Sequence, residues 1–345
     1  MLMKCSYFIK NIKKIVLVLV LMSIFSLIVA ESFIPFSYEG KIGLLNSRFE
    51  VIEPPKYDSL MPILNTNYYI GNIRNNYFIF ENNSIVFSAK TSKLSHIYED
   101  WFYHESGNCI VNIKNNKTLY GINFVSTESP FIPSRISPND GKYYYRTLDG
   151  EIIFNINGYF RVYGFYENYS VILDNDWNFN IIDTFGTMLL NNIEIDLLGQ
   201  RVSENLIPVL TINGKTGYIS PFGDFMLDIS FECCDGIIGA TDFVDGYACI
   251  LINQNPFTWV VINKDGKVVS NPIYAKSLNS FSNGYSLAYI EKNQYNFVDV
   301  QGNFISEINF ESATKFYNGY AQIIQNGKEG LISTSGEITW CEELF

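Results

Sequence analysis

The chain has 345 residues, 47% hydrophobic, 16% aromatic and 17% charged, with 24 basic against 35 acidic side chains and a formal net charge of −11. Such a chain can bury a large core and is not disordered. Its acidic surplus repels phosphate backbones, which sets nucleic acid aside as a partner.

Residues 1–30 read as a targeting segment. Lys4, Lys10, Lys13 and Lys14 form a basic start, residues 15–30 carry no charge, and Ser26, Ala30 and Ser32 surround a cleavage point at Ala30-Glu31. The same uncharged run is slightly shorter than the ~17–25 residues of a spanning helix, so an uncleaved hydrophobic helix acting as a membrane anchor is the alternative. Either route implies export, to the periplasm, the cell surface or the medium. Removal of residues 1–30 takes away four Lys and no acid, leaving 20 basic against 35 acidic residues, a net charge of −15, on a repeat domain at 31–345.

Tyr (24 copies) and Phe (27 copies) dominate that domain and favour pleated, half-buried surfaces, so an all-β fold is expected. Short apolar runs alternate with turn residues at Ser47, Asn83, Asn116, Gly150, Gly186, Gly223, Gly266, Gly302 and Gly336. The steps between them are 36, 33, 34, 36, 37, 43, 36 and 34 residues. A fixed period of this size marks a tandem array. Each marker reads as a hairpin, with Asp149-Gly150, Asp265-Gly266 and Asn115-Asn116 suggesting tight turns of the primed types. The flanks are strand-like, as in Trp259-Val260-Val261-Ile262 and Lys267-Val268-Val269.

A second phrase, Phe-x-x-Gly-Tyr-Ala or -Ser, begins at Phe243, Phe281 and Phe316, with echoes at Phe165 and Val202. Its glycine would reverse the chain, its aromatic would plug the joint between neighbours, and its small residue would let sheets approach. About nine three-stranded meanders follow, arranged as a propeller or as an open curved stack. No unit buries enough to fold alone, so neighbours must share a core.

Gly40-Lys41-Ile42-Gly43-Leu44-Leu45-Asn46 followed by Pro54-Pro55-Lys56-Tyr57-Asp58 resembles the WG, or KWG, repeat. Gly214-Lys215-Thr216-Gly217 and Gly327-Lys328-Glu329-Gly330 resemble it too. The naming Trp is replaced by Ile42, Thr216 and Glu329, so the copies are degenerate. The resemblance implies a bacterial, often exported β-repeat protein with no settled activity, and it transfers no catalytic residue.

Pro54-Pro55, Pro130 to Pro133 and Pro138 to Gly141 read as loops between units. The 43-residue step holds Glu232-Cys233-Cys234-Asp235-Gly236, read as a protruding loop. Cys109, Cys233, Cys234, Cys249 and Cys341 lack C-x-x-C spacing and read mainly as buried thiols.

The chemistry-bearing residues are sparse. His96 and His104, with Glu99 and Asp100 between them, are too widely spaced for a metal motif. Neither a nucleophile elbow nor a phosphate-binding glycine loop is present, so no cofactor is expected. Glu342-Glu343, Glu99-Asp100 and Asp242-Asp245 are the carboxylate pairs that a glycan- or peptide-cleaving hydrolase would need, although solvated charge explains them as well. The expectation is therefore a non-catalytic binding scaffold for a protein or glycan. The rivals are a carboxylate hydrolase and a structural surface spacer.

Overall fold

The computed structural model describes residues 33–344 except 64–65, 82–83, 123–128, 135–141, 191–194 and 233–237. The expected N-terminal helix, the Cys233-Cys234 loop, the marker at Asn83 and the Pro138 to Gly141 loop fall outside the described residues. Among those residues no helix is long and apolar enough to cross a membrane.

Among the described residues, all regular structure is antiparallel strand apart from two short 3-10 turns. The strands form nine small sheets in chain order, here units 1 to 9, spanning 34–57, 59–90, 94–120, 131–157, 159–183, 195–232, 247–274, 277–298 and 312–340. Each sheet contains one of the nine turn markers or is followed directly by it. Every sheet is built from one continuous segment, so none borrows a strand from another unit.

The expected three strands are found in five sheets, whereas units 2, 3, 6 and 9 have four. The extra strands are short edges such as Ser312–Ala313, which sequence patterning does not separate from a loop. Isolated bridges extend units 7 and 8 in the same way, Ala240 pairing with Ile250 and Val298 with Phe304.

Hydrophobic clusters occupy the joints between units, not the units themselves. Leu44, Leu60 and Tyr69 join units 1 and 2; Ile79 and Phe102 join 2 and 3; Ile110 and Ile132 join 3 and 4. Tyr145 and Phe165 join 4 and 5, Val171 and Val209 join 5 and 6, and Tyr218 and Phe243 join 6 and 7. Trp259 and Phe281 join 7 and 8, and Phe297 and Phe316 join 8 and 9. The ninth cluster joins the ends of the chain: Ile34, Phe36 and Leu45 of unit 1 pack with Leu331 and Cys341 of unit 9. Contacts therefore run around a closed circuit. Asn318 Nδ2 donates to the Phe33 carbonyl at 3.2 Å across this seam, and Ser37 Oγ donates to Glu329 Oε1 at 2.7 Å.

The Phe-x-x-Gly-Tyr phrase performs the expected joint role. Phe165, Val202, Phe243, Phe281 and Phe316 are all buried in joint clusters, and Ser170, Ala248, Ser286 and Ala321 are buried beside them. The phrase forms the entry turn of its unit, leading into the strand Tyr169–Asp174, Ile207–Thr211, Tyr247–Gln254, Ser286–Glu291 or Tyr320–Gln325. Here lie the primed turns, with paired positive φ at Asp245-Gly246 (53° and 81°) and Asn283-Gly284 (49° and 83°).

The marker hairpins at Gly150, Gly186, Gly223, Gly266, Gly302 and Gly336 are of a different kind, which corrects the sequence reading. At Gly150 and Gly266 the glycine alone has positive φ, and Gly150 N donates to Thr147 O while Thr147 N donates to Glu151 O. A type I turn closed by a bulge glycine fits this pattern. These exit turns also contact the preceding unit: a Cβ on Gly302 would sit 2.8 Å from the Asn271 carbonyl of unit 7.

The second glycine of the Gly-Lys-x-Gly phrase has a separate reason. A Cβ on Gly43 would meet the Glu53 carbonyl and the Phe36 ring at 2.6 Å, and one on Gly330 would meet Trp340 at 2.9 Å. Pro54, Pro55 and Pro133, read as loop residues, lie within the strands Val51–Tyr57 and Phe131–Ser134. Both are edge strands, where a missing N–H costs no ladder bond on the open side.

Candidate interaction surface

Because successive strands are antiparallel, entry and exit turns share one end of the sheets. In units 4 to 9 the exit turn is held by a polar side chain three residues before its glycine. Asp183 Oδ1 accepts from Phe185 N at 2.9 Å and Thr187 N at 2.8 Å; Asp299 Oδ1 accepts from Gln301 N at 2.9 Å and Asn303 N at 2.8 Å. Ser220 Oγ holds Phe222 N and Asp224 N at 3.2 Å each. With its amide fixed, the residue just before the glycine projects outward.

In units 4, 7, 8 and 9 that residue is polar: Asp149, Asp265, Gln301 and Ser335. In units 5 and 6 it is Phe185, 85% exposed, and Phe222, 59% exposed. The Phe222 ring lies 6.2 Å from Tyr169 of unit 5, Tyr169 is the register partner of Asp183, and Asp183 holds the Phe185 turn. Both tips therefore belong to one crest. Met188, Phe225 and Met226 are exposed on the strands and segments next to these turns. Residues 159–232, which span units 5 and 6, hold ten acids and three bases, a net −7 out of the −15 on residues 31–345.

The entry turns are tied to one another. Glu167 Oε1 accepts from Glu204 N at 2.6 Å and Oε2 from Asn205 N at 2.8 Å; Glu204 in turn accepts from Gly246 N at 3.1 Å. Burial pushes the Glu204 carboxyl up, but Lys264 at 2.9 Å and the Gly246 amide outweigh it and hold the group below the usual range. Asn283 Oδ1 accepts from Gly319 N at 3.0 Å, continuing the pattern. These links tie unit 5 to 6, 6 to 7 and 8 to 9.

The candidate catalytic and metal residues are dispersed. His96 Nε2 lies 2.8 Å from the Glu99 carbonyl, and burial holds its imidazole below the usual histidine range. His104 Nδ1 accepts from Gly107 N at 2.9 Å, and Asp100 accepts from the Tyr68 hydroxyl at 2.6 Å. Among the described residues no three His, Cys, Asp or Glu side chains could share a metal ion. Glu342 pairs with Lys328 beside a cleft of about 350 Å³ at the seam, also lined by Tyr38, Glu39 and Glu329.

Asp242 and Asp245 flank Phe243 in an entry turn. Burial pushes the Asp242 carboxyl up against the opposing charges of Arg201 and Lys315. Asp245 is exposed at the turn itself. Cys109, Cys249 and Cys341 are free and buried, as expected; burial pushes the last two thiols up to about 12.

The residues that sequence reasoning missed are Phe185 and Phe222. Their signal was available: an aromatic directly before the turn glycine, where sibling units carry Asp, Gln or Ser.

No curated protein matches the chain in sequence. Among solved structures, a eukaryotic initiation factor is similar with a TM-score of 0.62 at 12% identity, covering 90% of this chain and 94% of that one. BamB from Moraxella catarrhalis gives 0.46 at 12% identity, covering 82% and 95%. Hsv2p from Kluyveromyces lactis gives 0.46 at 8% identity, covering 79% and 94%. At such identities the first of these likenesses speaks for the fold alone. The WG containing repeat family matches residues 259–295 and 297–328, which run from the second strand of unit 7, Phe257–Asn263, to the start of the strand Lys328–Ser333 in unit 9. These two matches are consistent with a WG repeat protein.

Proposed function

We propose that the protein is a nine-bladed propeller that works as an interaction scaffold at the cell envelope or outside the cell, with no chemistry of its own. The closed circuit of joint clusters supports the propeller reading, since radial repetition protects sheet edges without a barrel. The basic, then apolar, residues 1–30 support export. One observation carries the binding role: Phe185 and Phe222 stand exposed at turn tips that are polar in four sibling units. Exposed aromatics at rigid positions lose little side-chain entropy on binding.

The hydrolase reading has one raised acid in its favour, Asp242. The charges acting on it, however, come from Arg201 and Lys315 and not from a second carboxylate. A pull-down with the chain from residue 31 onward, against envelope proteins and a glycan array, tests the scaffold role. Specific capture that weakens in the Phe185→Ser, Phe222→Ser variant supports it. Failure to capture any partner, or turnover of a glycan or peptide that Asp242→Asn abolishes, refutes it.

A further inference from the structure

We infer that the crest of units 5 and 6 docks a basic segment of another protein whose apolar side chains cover Phe185 and Phe222. The inference rests on the scaffold reading and adds the chemistry of the partner. Four observations lead to it.

The crest is built, not incidental. Asp183 and Ser220 each fix the backbone that projects a Phe, and the Phe222 ring packs edge-on to Tyr169. It is local, because the same turn position carries Asp149, Asp265, Gln301 or Ser335 elsewhere. It extends sideways, since Phe225 and Met226 begin the edge strand Phe225–Glu232 and are exposed beside Phe222. An edge strand can accept an extended peptide by backbone pairing, with alternate side chains resting on the neighbouring surface.

The fourth observation is charge. Units 5 and 6 hold net −7 of the −15 on residues 31–345, so a partner segment with apolar anchors and Lys or Arg between them meets both features of the surface. An acidic partner would be repelled. An anionic lipid surface would be repelled for the same reason.

The test uses the full domain from residue 31, as wild type and as the Phe185→Ser, Phe222→Ser double variant, with three fluorescent probe peptides. One alternates Lys with Leu, one Glu with Leu, and one Lys with Ser. Fluorescence anisotropy is read at low and at high salt. The Lys–Leu peptide is expected to bind best, to lose at least about tenfold in affinity in the double variant, and to weaken with salt. Both Phe residues are exposed, so a matching thermal midpoint shows that the variant is folded.

Equal binding of the Lys–Ser peptide would reduce the effect to bulk charge and overturn the inference, as would unchanged affinity in the double variant. Association with neutral phosphatidylcholine vesicles that depends on the two Phe residues would place the crest on a membrane and also overturn it. If no peptide binds but the pull-down still captures a partner through the crest, the basic-segment inference fails and the scaffold reading stands.

Discussion

The Ser203 hydroxyl donates at 2.6 Å to the backbone carbonyl of Phe243, forty residues further along the chain and one unit around the ring. Ser282 and Phe316 repeat the relationship at 2.8 Å. The aromatic that plugs each of these joints is thus held at its backbone by the previous entry turn, which couples hydrogen bonding to packing across the boundary. Removing Ser203 Oγ leaves a buried carbonyl without this donor. Ser203→Ala is expected to cost about 1–3 kcal/mol in denaturant unfolding; a loss below about 0.5 kcal/mol, within the range of ordinary surface changes, would show that the link is not structural.

Glycines at exit turns carry a second burden that those at the middle turns lack. Gly302 has φ +86° and a neighbour's carbonyl 2.8 Å from where a Cβ would stand, whereas Gly327 has φ +71° and open space. Gly327→Ala should cost only about 1–2 kcal/mol for the left-handed conformation. Gly302→Ala should cost distinctly more, because the Asn271 backbone must also move. Equal losses in thermal melts of the two variants would refute the contact between units 7 and 8.

Two carboxyls give opposite pH signatures. Glu204 is held below its unfolded value of about 4.3, so its contribution is fully present above that pH and is lost as pH falls through the folded value. Glu204→Gln should therefore destabilise at pH 7 and have little effect well below pH 4. Asp242 is raised above its unfolded value of about 3.9, so its favourable contribution holds below that pH and disappears as pH rises through the folded value. Asp242→Asn should raise the thermal midpoint at pH 7 and leave it unchanged near pH 3. A lower midpoint at pH 7 would mean that the ionised carboxylate is stabilising.

The legible part of the fold was the local part. Turn chemistry acts within a few residues, so Gly150 through Gly336 announced one hairpin each, and the buried aromatics at Phe243, Phe281 and Phe316 announced the joints. The primed turns were assigned to the wrong hairpins because Asp-Gly serves both turn families, and only the φ of the first residue distinguishes them. Edge strands such as Ser277–Leu278 are too short for alternation to show. The packing of unit 1 against unit 9 was hidden for a non-local reason: among the described residues no strand is exchanged between these units, so neither terminal copy differs in pattern from an internal one. Phe185 and Phe222 were visible but became meaningful only when equivalent turn positions could be aligned in space.

The decisive measurement is amide hydrogen exchange on the chain truncated after Glu311, which removes unit 9. In a closed ring this cut opens two joints, so protection should fall both in Ser286–Glu291 of unit 8 and in Ile34–Tyr38 and Lys41–Leu45 of unit 1. Loss of protection in unit 8 alone, with unit 1 as protected as in the full chain, would contradict closure and leave an open stack.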